Sequence, residues 1–208
     1  ASLFMALSKT LLKSAARRVD DVGGLMVRAN AEVSSENPES LFITAFAGLL
    51  DAHTGMLEFS NAGHEPPFVR APGGRLARLE HSGGPPLCVI ENYAYPVEHR
   101  ALAAGEWICV VTDGVTEAMN TAGELYGAAR LQAVLEGLPA SIGPSELLAA
   151  VRADVGRFVG AAEASDDLTL LCMRWNGVAA KVPDEARSAD VDLDAPVAGL
   201  GDLVVGRD

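Results

Sequence analysis

Short turns between apolar, strand-like runs constrain this chain more than any other feature of its sequence. The runs "LFITAFAGLL" and "MLEFSNAG" are separated only by the five residues "DAHTG", in which Gly55 closes the turn. A connection this short joins antiparallel strands, because parallel neighbours need a crossover of roughly a dozen residues or more. The sequence therefore predicts a β-hairpin here and an antiparallel sheet around it.

The same pattern continues along the chain, with helical periodicity on either side of it. A second hairpin, turning at Gly73 and Gly74, is predicted in "PPFVRAPGGRLARLE". Apolar residues at helical spacing predict helices near 3–15, 25–35, 128–135 and 144–158. Further strands are predicted near 93–102, 107–112 and 168–175. Hairpins with helices grouped towards both ends indicate an α+β fold with antiparallel sheets rather than a doubly wound one.

Length and composition favour a single folded unit followed by a tail. The chain has 208 residues, of which 49% are hydrophobic, and this is enough to bury one core. Beyond residue 177 the composition shifts to Ala, Val, Asp and Gly, with seven acidic side chains against three basic ones. We predict one domain at 1–177 and, at 178–208, an acidic linker or tail or the start of another domain.

The charge of the chain disfavours some classes of binding partner, and its cysteines indicate a cellular compartment. The chain carries 16 Lys and Arg against 28 Asp and Glu, a net charge of −12, which repels nucleic-acid phosphates and anionic lipid. No run approaches the roughly 20 apolar residues that cross a bilayer, so no membrane insertion is predicted in this segment. The three cysteines, Cys88, Cys109 and Cys172, include no C-x-x-C pair, and we interpret them as free thiols of a cytoplasmic protein.

Aspartates stand at the ends of two predicted strands. Asp113, followed by Gly114, comes directly after the apolar strand 107–112, and Asp166, followed by Asp167, precedes the last strand. If these strands are antiparallel neighbours, the end of one adjoins the start of the other, and both carboxylates reach one rim. Carboxylates held together repel unless a cation intervenes, and such oxygen ligands suit Mg²⁺ or Mn²⁺. Gly114 would let the backbone turn sharply beside the ligands.

Each of these motifs also has an ordinary structural explanation. Asp-Gly after a strand is a common turn signal, and Ser-Asp before a strand is common loop chemistry. The coincidence of the two favours a metal site only modestly, so at this point both interpretations stay open.

Four segments, in order along the chain, carry a resemblance to a known family: "LFMALSKTLL", "LFITAFAGLLDAHTGMLEFSNAGHEPPFV", "VVTDGVTEAMNTAGELYG" and "SDDLTLLCMRW". Together they resemble the SpoIIE-type serine phosphatases, the bacterial branch of the metal-dependent protein phosphatase (PPM, or protein phosphatase 2C) superfamily. The resemblance implies a sandwich of two antiparallel sheets flanked by helices, in four α/β/β/α layers. It also implies aspartate-bound Mn²⁺ or Mg²⁺ and a metal-activated water that hydrolyses phosphoserine or phosphothreonine.

The resemblance also assigns roles to individual residues. Asp113 of "TDG" and Asp166 of "SDD" match two of the family's metal-binding aspartates and are our candidate catalytic residues. Gly114 is a further candidate at the metal site. Asp167 falls where relatives of the wider superfamily often carry Asn, so we interpret it as a turn or supporting residue, with direct metal ligation as the alternative.

One part of the family pattern is missing from this sequence. The family's other metal-binding aspartate belongs to a "D-x-S-G-x-G" stretch just before the helix that begins here near Leu3, and the sequence has no such stretch. We therefore expect the chain to lack the N-terminal catalytic portion of its parent protein and to be inactive by itself.

The family also implies partners, namely a phosphorylated regulatory protein of the anti-sigma-factor-antagonist type and an upstream sensor domain. Two other functions stay open. An aspartyl-phosphate hydrolase would use Asp113 as the nucleophile, but that chemistry usually has a second Asp two residues on, where this chain has Val115. A catalytically inactive module would bind a phosphoprotein without hydrolysing it.

Three further polar positions each have a functional and a structural interpretation. His64 in "NAGHEPP" is a candidate general acid or phosphate contact, with packing in a turn fixed by Asn61 as the alternative. Glu117 and Asn120 are candidates for orienting metal-bound waters, with solvated loop residues as the alternative. Arg130, on a predicted helix, is interpreted as a surface charge.

Overall fold

The structure, a computed structural model, describes residues 2–37, 40–163 and 167–178. The candidate residue Asp166 and the predicted tail from residue 179 onward lie outside the described residues. The helices are α1 (Ser2–Ala16), α2 (Val22–Ser35), α3 (Asp113–Thr116), α4 (Ala128–Gly137) and α5 (Pro144–Val159). The strands are β1 (Ala45–Leu50), β2 (Met56–Ala62), β3 (Phe68–Arg70), β4 (Leu76–Arg78), β5 (Glu98–Ala101), β6 (Trp107–Val111) and β7 (Leu170–Arg174).

The strands form two sheets, one in the order β1-β2-β5 and the other in the order β4-β3-β6-β7. All pairings between these strands are antiparallel. Both predicted hairpins are present, as β1-β2 and β3-β4. The predicted α+β class with antiparallel sheets is therefore confirmed.

The first hairpin needs a glycine at its turn. Gly55 has φ 76°, which is in the left-handed region, and a Cβ there would lie 2.6 Å from the ring of Trp175. The indole Nε1 of Trp175 donates a hydrogen bond to the carbonyl of Ala52, at 3.1 Å. Residues just past β7 thus pack directly on the turn of the other sheet, and only glycine leaves room for that contact.

Three apolar clusters separate the secondary structure into four layers. Met26 and Val33 of α2 pack with α1 on the three-stranded sheet. Phe59 of β2 and Ile108 of β6 lie in the cluster between the two sheets. Trp107 of β6 lies in the cluster that joins the four-stranded sheet to α4 and α5. The order of layers is helices, sheet, sheet, helices, in agreement with the predicted α/β/β/α arrangement.

Strand β6 is apolar along its whole length because both of its faces are covered. Trp107, Cys109 and Val111 point into the cluster with α4 and α5, while Ile108 points towards the other sheet. Each of these four side chains is at most 4% exposed. A strand in which four of five residues are buried therefore leads, through Thr112, to Asp113.

The predicted boundaries of helix α2 and strand β5 differ from those in the structure. Helix α2 starts at Val22 rather than near residue 25, because Asp21 caps it and accepts a hydrogen bond from the Gly24 amide at 2.6 Å. Glu58 of β2 accepts a second bond from the Val22 amide at 2.8 Å. The strand predicted at 93–102 shortens to Glu98–Ala101, since its first residues pack as a loop in the cluster beneath α1 and α2.

A buried cation ties the four-stranded sheet to α4. Arg70 of β3 is only 4% exposed. Its guanidinium donates to the backbone carbonyls of Gly74, Leu135 and Leu138, at 3.2, 3.1 and 2.6 Å. Leu135 and Leu138 lie at the carboxyl end of α4, where carbonyls lack partners within the helix and the helix dipole is negative. Arg70 therefore satisfies both the charge and the hydrogen-bonding capacity of that helix end.

Among the described residues, no helix combines the length and the apolar character that crossing a membrane requires.

Candidate metal-binding site at the β6–β7 rim

Strands β6 and β7 are antiparallel neighbours, as the sequence predicts. Val111 lies opposite Leu170, and the pairing continues one residue further. The Thr112 amide donates to the Thr169 carbonyl at 3.1 Å, and the Thr169 amide donates to Thr112 Oγ1 at 3.3 Å. The end of β6 therefore adjoins the start of β7, and we call this edge the β6–β7 rim.

Asp113 lies on the β6–β7 rim as the first residue of α3, a single helical turn. Its side chain is exposed, and its Oδ1 accepts a hydrogen bond from the Gly114 amide at 3.0 Å. Its carbonyl accepts from the Glu117 amide at 2.7 Å, which closes the turn. The backbone of α3 thus orients the carboxylate without burying it.

The other predicted site residues are Gly114, Asp166 and Asp167, and the structure describes Gly114 and Asp167. Gly114 is buried as the second residue of the helical turn, so it does not make the sharp glycine turn that the sequence suggests. Its amide instead anchors the Asp113 carboxylate. Asp167 is exposed just before β7, two residues ahead of Thr169. Asp166 lies outside the described residues, so its predicted place beside Asp113 stays a prediction.

The donor chemistry of the rim suits a hard divalent cation, but the described part of the rim is an incomplete ligand set. Asp113 and Asp167 supply exposed carboxylates at this edge, and magnesium sites often use one or two carboxylates plus water. Within the described residues, no group of three or more His, Cys, Asp or Glu is arranged to hold a metal. A pair of metals would need further ligands beyond these.

Asn120, in the loop after α3, builds that loop rather than pointing at a ligand. Its Oδ1 accepts hydrogen bonds from the amides of Ala122 and Glu124, at 2.9 and 3.0 Å. Its Nδ2 donates to the Glu124 carboxylate at 2.8 Å. These contacts agree with the loop interpretation of Asn120.

The end of the same loop is anchored to α5 through Asp154, which is 9% exposed. Asp154 accepts hydrogen bonds from Tyr126 Oη at 2.8 Å, from Arg130 Nε at 2.9 Å and from Arg157 at 2.9 Å. The Arg130 guanidinium also lies 4.9 Å from the centre of the Phe158 ring. Arg130 is a surface charge, as interpreted from the sequence, because 43% of its side chain is exposed. Its guanidinium is in addition held by the buried carboxylate of Asp154 and by the Phe158 ring.

The network makes the stability of the fold depend on pH. Hydrogen bonds, that from Arg130 foremost, lower the pKa of Asp154 from 3.8 to about 2. Since this pKa is depressed in the folded state, ionised Asp154 stabilises the protein above about pH 4, and that contribution is lost as the pH falls towards 2.

We expect Asp154→Asn to lower the stability at pH 7 by about 2 kcal/mol and the melting temperature by about 5 °C. The variant should also lose less stability than the wild type between pH 4 and 2. Thermal unfolding followed by circular dichroism across that range measures both effects, with Asp20→Asn at an exposed site as the control. An acid dependence identical to that of the wild type would contradict the role of Asp154.

The "NAGHEPP" turn is fixed by Asn61, which is 2% exposed. Asn61 Oδ1 accepts a hydrogen bond from the His64 amide at 2.7 Å, and its Nδ2 donates to the His64 carbonyl at 2.9 Å. His64 follows β2 of the three-stranded sheet, whereas Asp113 follows β6 of the other sheet. The contacts of His64 support packing in a turn.

Comparison with families of known proteins gives one match over most of the chain. The model of the family described as Stage II sporulation protein E (SpoIIE) matches residues 1–176. Protein IcfG of Synechocystis sp. is 30% identical over 149 residues, which are 71% of this chain. The chain spans only 23% of the length of that relative.

Solved structures of several bacterial proteins have a similar fold. The RsbU and RsbW domains of Rv1364c from Mycobacterium tuberculosis match with a TM-score of 0.68 and 22% identity, over 85% of this chain and 48% of that one. The SiaA-PP2C domain of Pseudomonas aeruginosa matches with a TM-score of 0.67 and 21% identity, over 83% and 69%. The phosphatase domain of the cell fate determinant SpoIIE from Bacillus subtilis, presoaked with Mn, gives 0.56 and 18%, over 84% and 76%. At these identities the likeness shows the fold.

Proposed function

The chain belongs to the Stage II sporulation protein E (SpoIIE) family, and from that membership we propose that it is part of a metal-dependent protein serine/threonine phosphatase in bacterial signal transduction. The observation that carries this proposal is the antiparallel pairing of β6 with β7. That pairing brings Asp113, just past the end of β6, to the edge at which Asp167 precedes β7. Asp166 is the residue before Asp167 in the sequence, and we propose that it joins Asp113 there.

Residues of this chain would hold and orient the metal. We assign Asp113 and Asp166 as ligands of Mn²⁺ or Mg²⁺, with Asp167 supporting or joining them. A divalent ion bound there would supply a reactive water near neutral pH and offset the charge of the phosphate. The Gly114 amide orients one carboxylate oxygen of Asp113. The hydrogen bonds between Thr112 and Thr169 fix the two strands on which the ligands depend.

The charge of the chain supports a metal-assisted reaction. A net charge of −12 disfavours the approach of a phosphorylated protein unless local positive charge offsets it. A divalent cation on an acidic rim provides that charge. We propose as substrate a phosphorylated regulatory protein of the anti-sigma-factor-antagonist type in the cytoplasm, under the control of a sensor domain upstream in the parent protein.

One observation favours a second candidate function, a module that binds a phosphoprotein without hydrolysing it. Within the part of the chain that the structure describes, no three His, Cys, Asp or Glu side chains are grouped to hold a metal. A chain with this ligand set would hold a cation weakly and act by docking.

Phosphate release separates these two functions. A protein that contains both this chain and the "D-x-S-G-x-G" stretch is incubated with a phosphoserine protein, with and without Mn²⁺. We expect release that requires Mn²⁺ or Mg²⁺ and stops when EDTA removes the metal. Stable binding of the phosphoprotein with no release at any metal concentration would favour the docking module, and release that persists in EDTA would reject the metal-dependent reaction.

A further inference from the structure

Two of the three cysteines face each other across the strands that lead to the β6–β7 rim. Cys109 of β6 and Cys172 of β7 are partners in the antiparallel register. Both side chains belong to the apolar cluster beneath α4 and α5, so they lie on the same face of the sheet. Cys109 is fully buried, whereas Cys172 is partly exposed.

The pattern of hydrogen bonds between β6 and β7 brings these two side chains close together. The Trp175 amide donates to the Glu106 carbonyl at 3.0 Å, and the Thr112 amide donates to the Thr169 carbonyl at 3.1 Å. Hydrogen-bonded pairs recur at every second position of an antiparallel ladder. The two hydrogen-bonded pairs above lie at opposite ends of the pairing between β6 and β7. Alternation between them makes Cys109 and Cys172 a non-hydrogen-bonded pair.

That position matches the geometry of a disulfide. Opposed Cα atoms in a non-hydrogen-bonded pair lie about 4.5 Å apart, and their side chains are closer than in the alternate pairs. Disulfides join residues whose Cα atoms are about 4.4–6.8 Å apart. The two sulfurs can therefore bond without a shift of register between β6 and β7.

We propose that Cys109 and Cys172 form a reversible oxidation site, which closes to a cross-strand disulfide when hydrogen peroxide is the oxidant. The sulfur of the more exposed Cys172 attacks one peroxide oxygen. The O–O bond breaks, the thiol proton leaves with the departing oxygen as water, and Cys172 becomes a sulfenic acid. The Cys109 sulfur then displaces the sulfenic oxygen, which leaves as a second water while the S–S bond forms. The two sulfurs lose two electrons in total, and the peroxide gains them.

The environment of Cys109 explains why Cys172 is the thiol that reacts first. A hydrogen bond with Cys172, together with burial, raises the pKa of Cys109 well above its usual value. Cys109 therefore stays a thiol and does not react first, since the thiolate is the reactive form. Its direct apposition to Cys172 makes it the resolving thiol once Cys172 is oxidised. A dithiol reductant reverses the bond by exchange.

Closure of the disulfide would act on the β6–β7 rim. Cys109 lies four positions before Asp113, and the ladder runs without a gap from the cysteine pair to Thr112 and Thr169. A covalent link here holds β6 and β7 together next to the metal-binding edge. We expect the amides of Thr112 and Thr169 to exchange hydrogen more slowly in the oxidised protein. An effect of the disulfide on phosphatase activity rests on the proposed function. Formation of the disulfide itself does not depend on that function.

The test uses the 208-residue chain with Cys88→Ser, which leaves Cys109 and Cys172 as its only thiols. Hydrogen peroxide is added to the folded protein, and intact mass, free thiols and non-reduced peptides are measured. We expect a mass loss of about 2 Da, a peptide linking the two cysteines, and recovery of both thiols with dithiothreitol. The oxidised chain should melt at least about 3 °C higher, because the bond restricts the unfolded state.

The matched controls are Cys109→Ala and Cys172→Ala, each combined with Cys88→Ser, and neither should lose 2 Da or form a cross-link within one chain. The Cys88→Ser chain decides the question even if a control variant folds poorly. Oxidation of Cys172 to a sulfinic acid with Cys109 still free, or a disulfide formed only between two chains, would overturn the proposal. Phosphate release is not one of these readouts, so a failure of the proposed function would leave this result unchanged.

Discussion

Replacing Asp113 with Asn is expected to lower kcat by at least about a hundredfold while the fold survives. Even residues that only support metal ligands typically change activity about 10- to 100-fold when mutated, and we assign Asp113 as a ligand itself. The fold should survive because the side chain is exposed and its one hydrogen bond within the described residues is local, to Gly114. Asn keeps an oxygen for that bond and removes only the charge that a cation requires.

The measurement is phosphate release from a phosphoserine protein as Mn²⁺ is titrated, in a protein that contains this chain and the "D-x-S-G-x-G" stretch. Thermal unfolding shows in parallel whether the variant is folded. Asp20→Asn, the same charge change at an exposed site between α1 and α2, should leave kcat within about twofold of the wild type. A folded Asp113→Asn enzyme with near-normal kcat at saturating metal would remove Asp113 from the site.

Arg70→Met should lower the free energy of unfolding by about 3 kcal/mol, a larger loss than that expected for Asp154→Asn. Methionine preserves most of the buried volume but donates no hydrogen bond. It therefore leaves the carbonyls of Leu135 and Leu138 at the end of α4 without their charged partner. For a chain of this length, the melting temperature should fall by about 6–12 °C.

Arg75→Met provides the control for that prediction, because Arg75 is exposed in the turn of the same hairpin. Urea unfolding of both variants separates a loss of stability from a change in the unfolded state, since only the latter alters the slope against urea concentration. Equal stability of the two variants would show that water replaces the guanidinium of Arg70 at no cost.

The sequence predicts the elements whose signal is local. Gly55 and the two apolar runs around it specify the first hairpin through neighbouring residues alone. Asp113 could be placed at a strand end for the same reason, because the apolar run 107–112 stops directly before it. The single turn α3 could not be predicted, since its four residues are too few to show a helical period.

Contacts between distant residues could not be predicted in the same way. Asp154 and Arg130 are 24 positions apart on different helices, and each alone looks like an ordinary surface charge. Their pairing depends on how α4 and α5 pack against the four-stranded sheet. Arg70 is a similar case, because its partners at the end of α4 are 65 and 68 residues away. A single sequence carries no signal for either contact.

The contact of Trp175 with the first hairpin bears on how the chain folds during synthesis. The indole of Trp175 bonds to Ala52, 123 residues earlier, and fills the space that Gly55 leaves open. Folds that depend on such distant contacts form slowly, because a long loop must close before the contact contributes. The ribosome must therefore release almost the whole domain before β7 and Trp175 can complete the contact between the two sheets. Until then the turn of the first hairpin lacks its indole partner, and a pause in translation ahead of residue 175 should prolong that incomplete state.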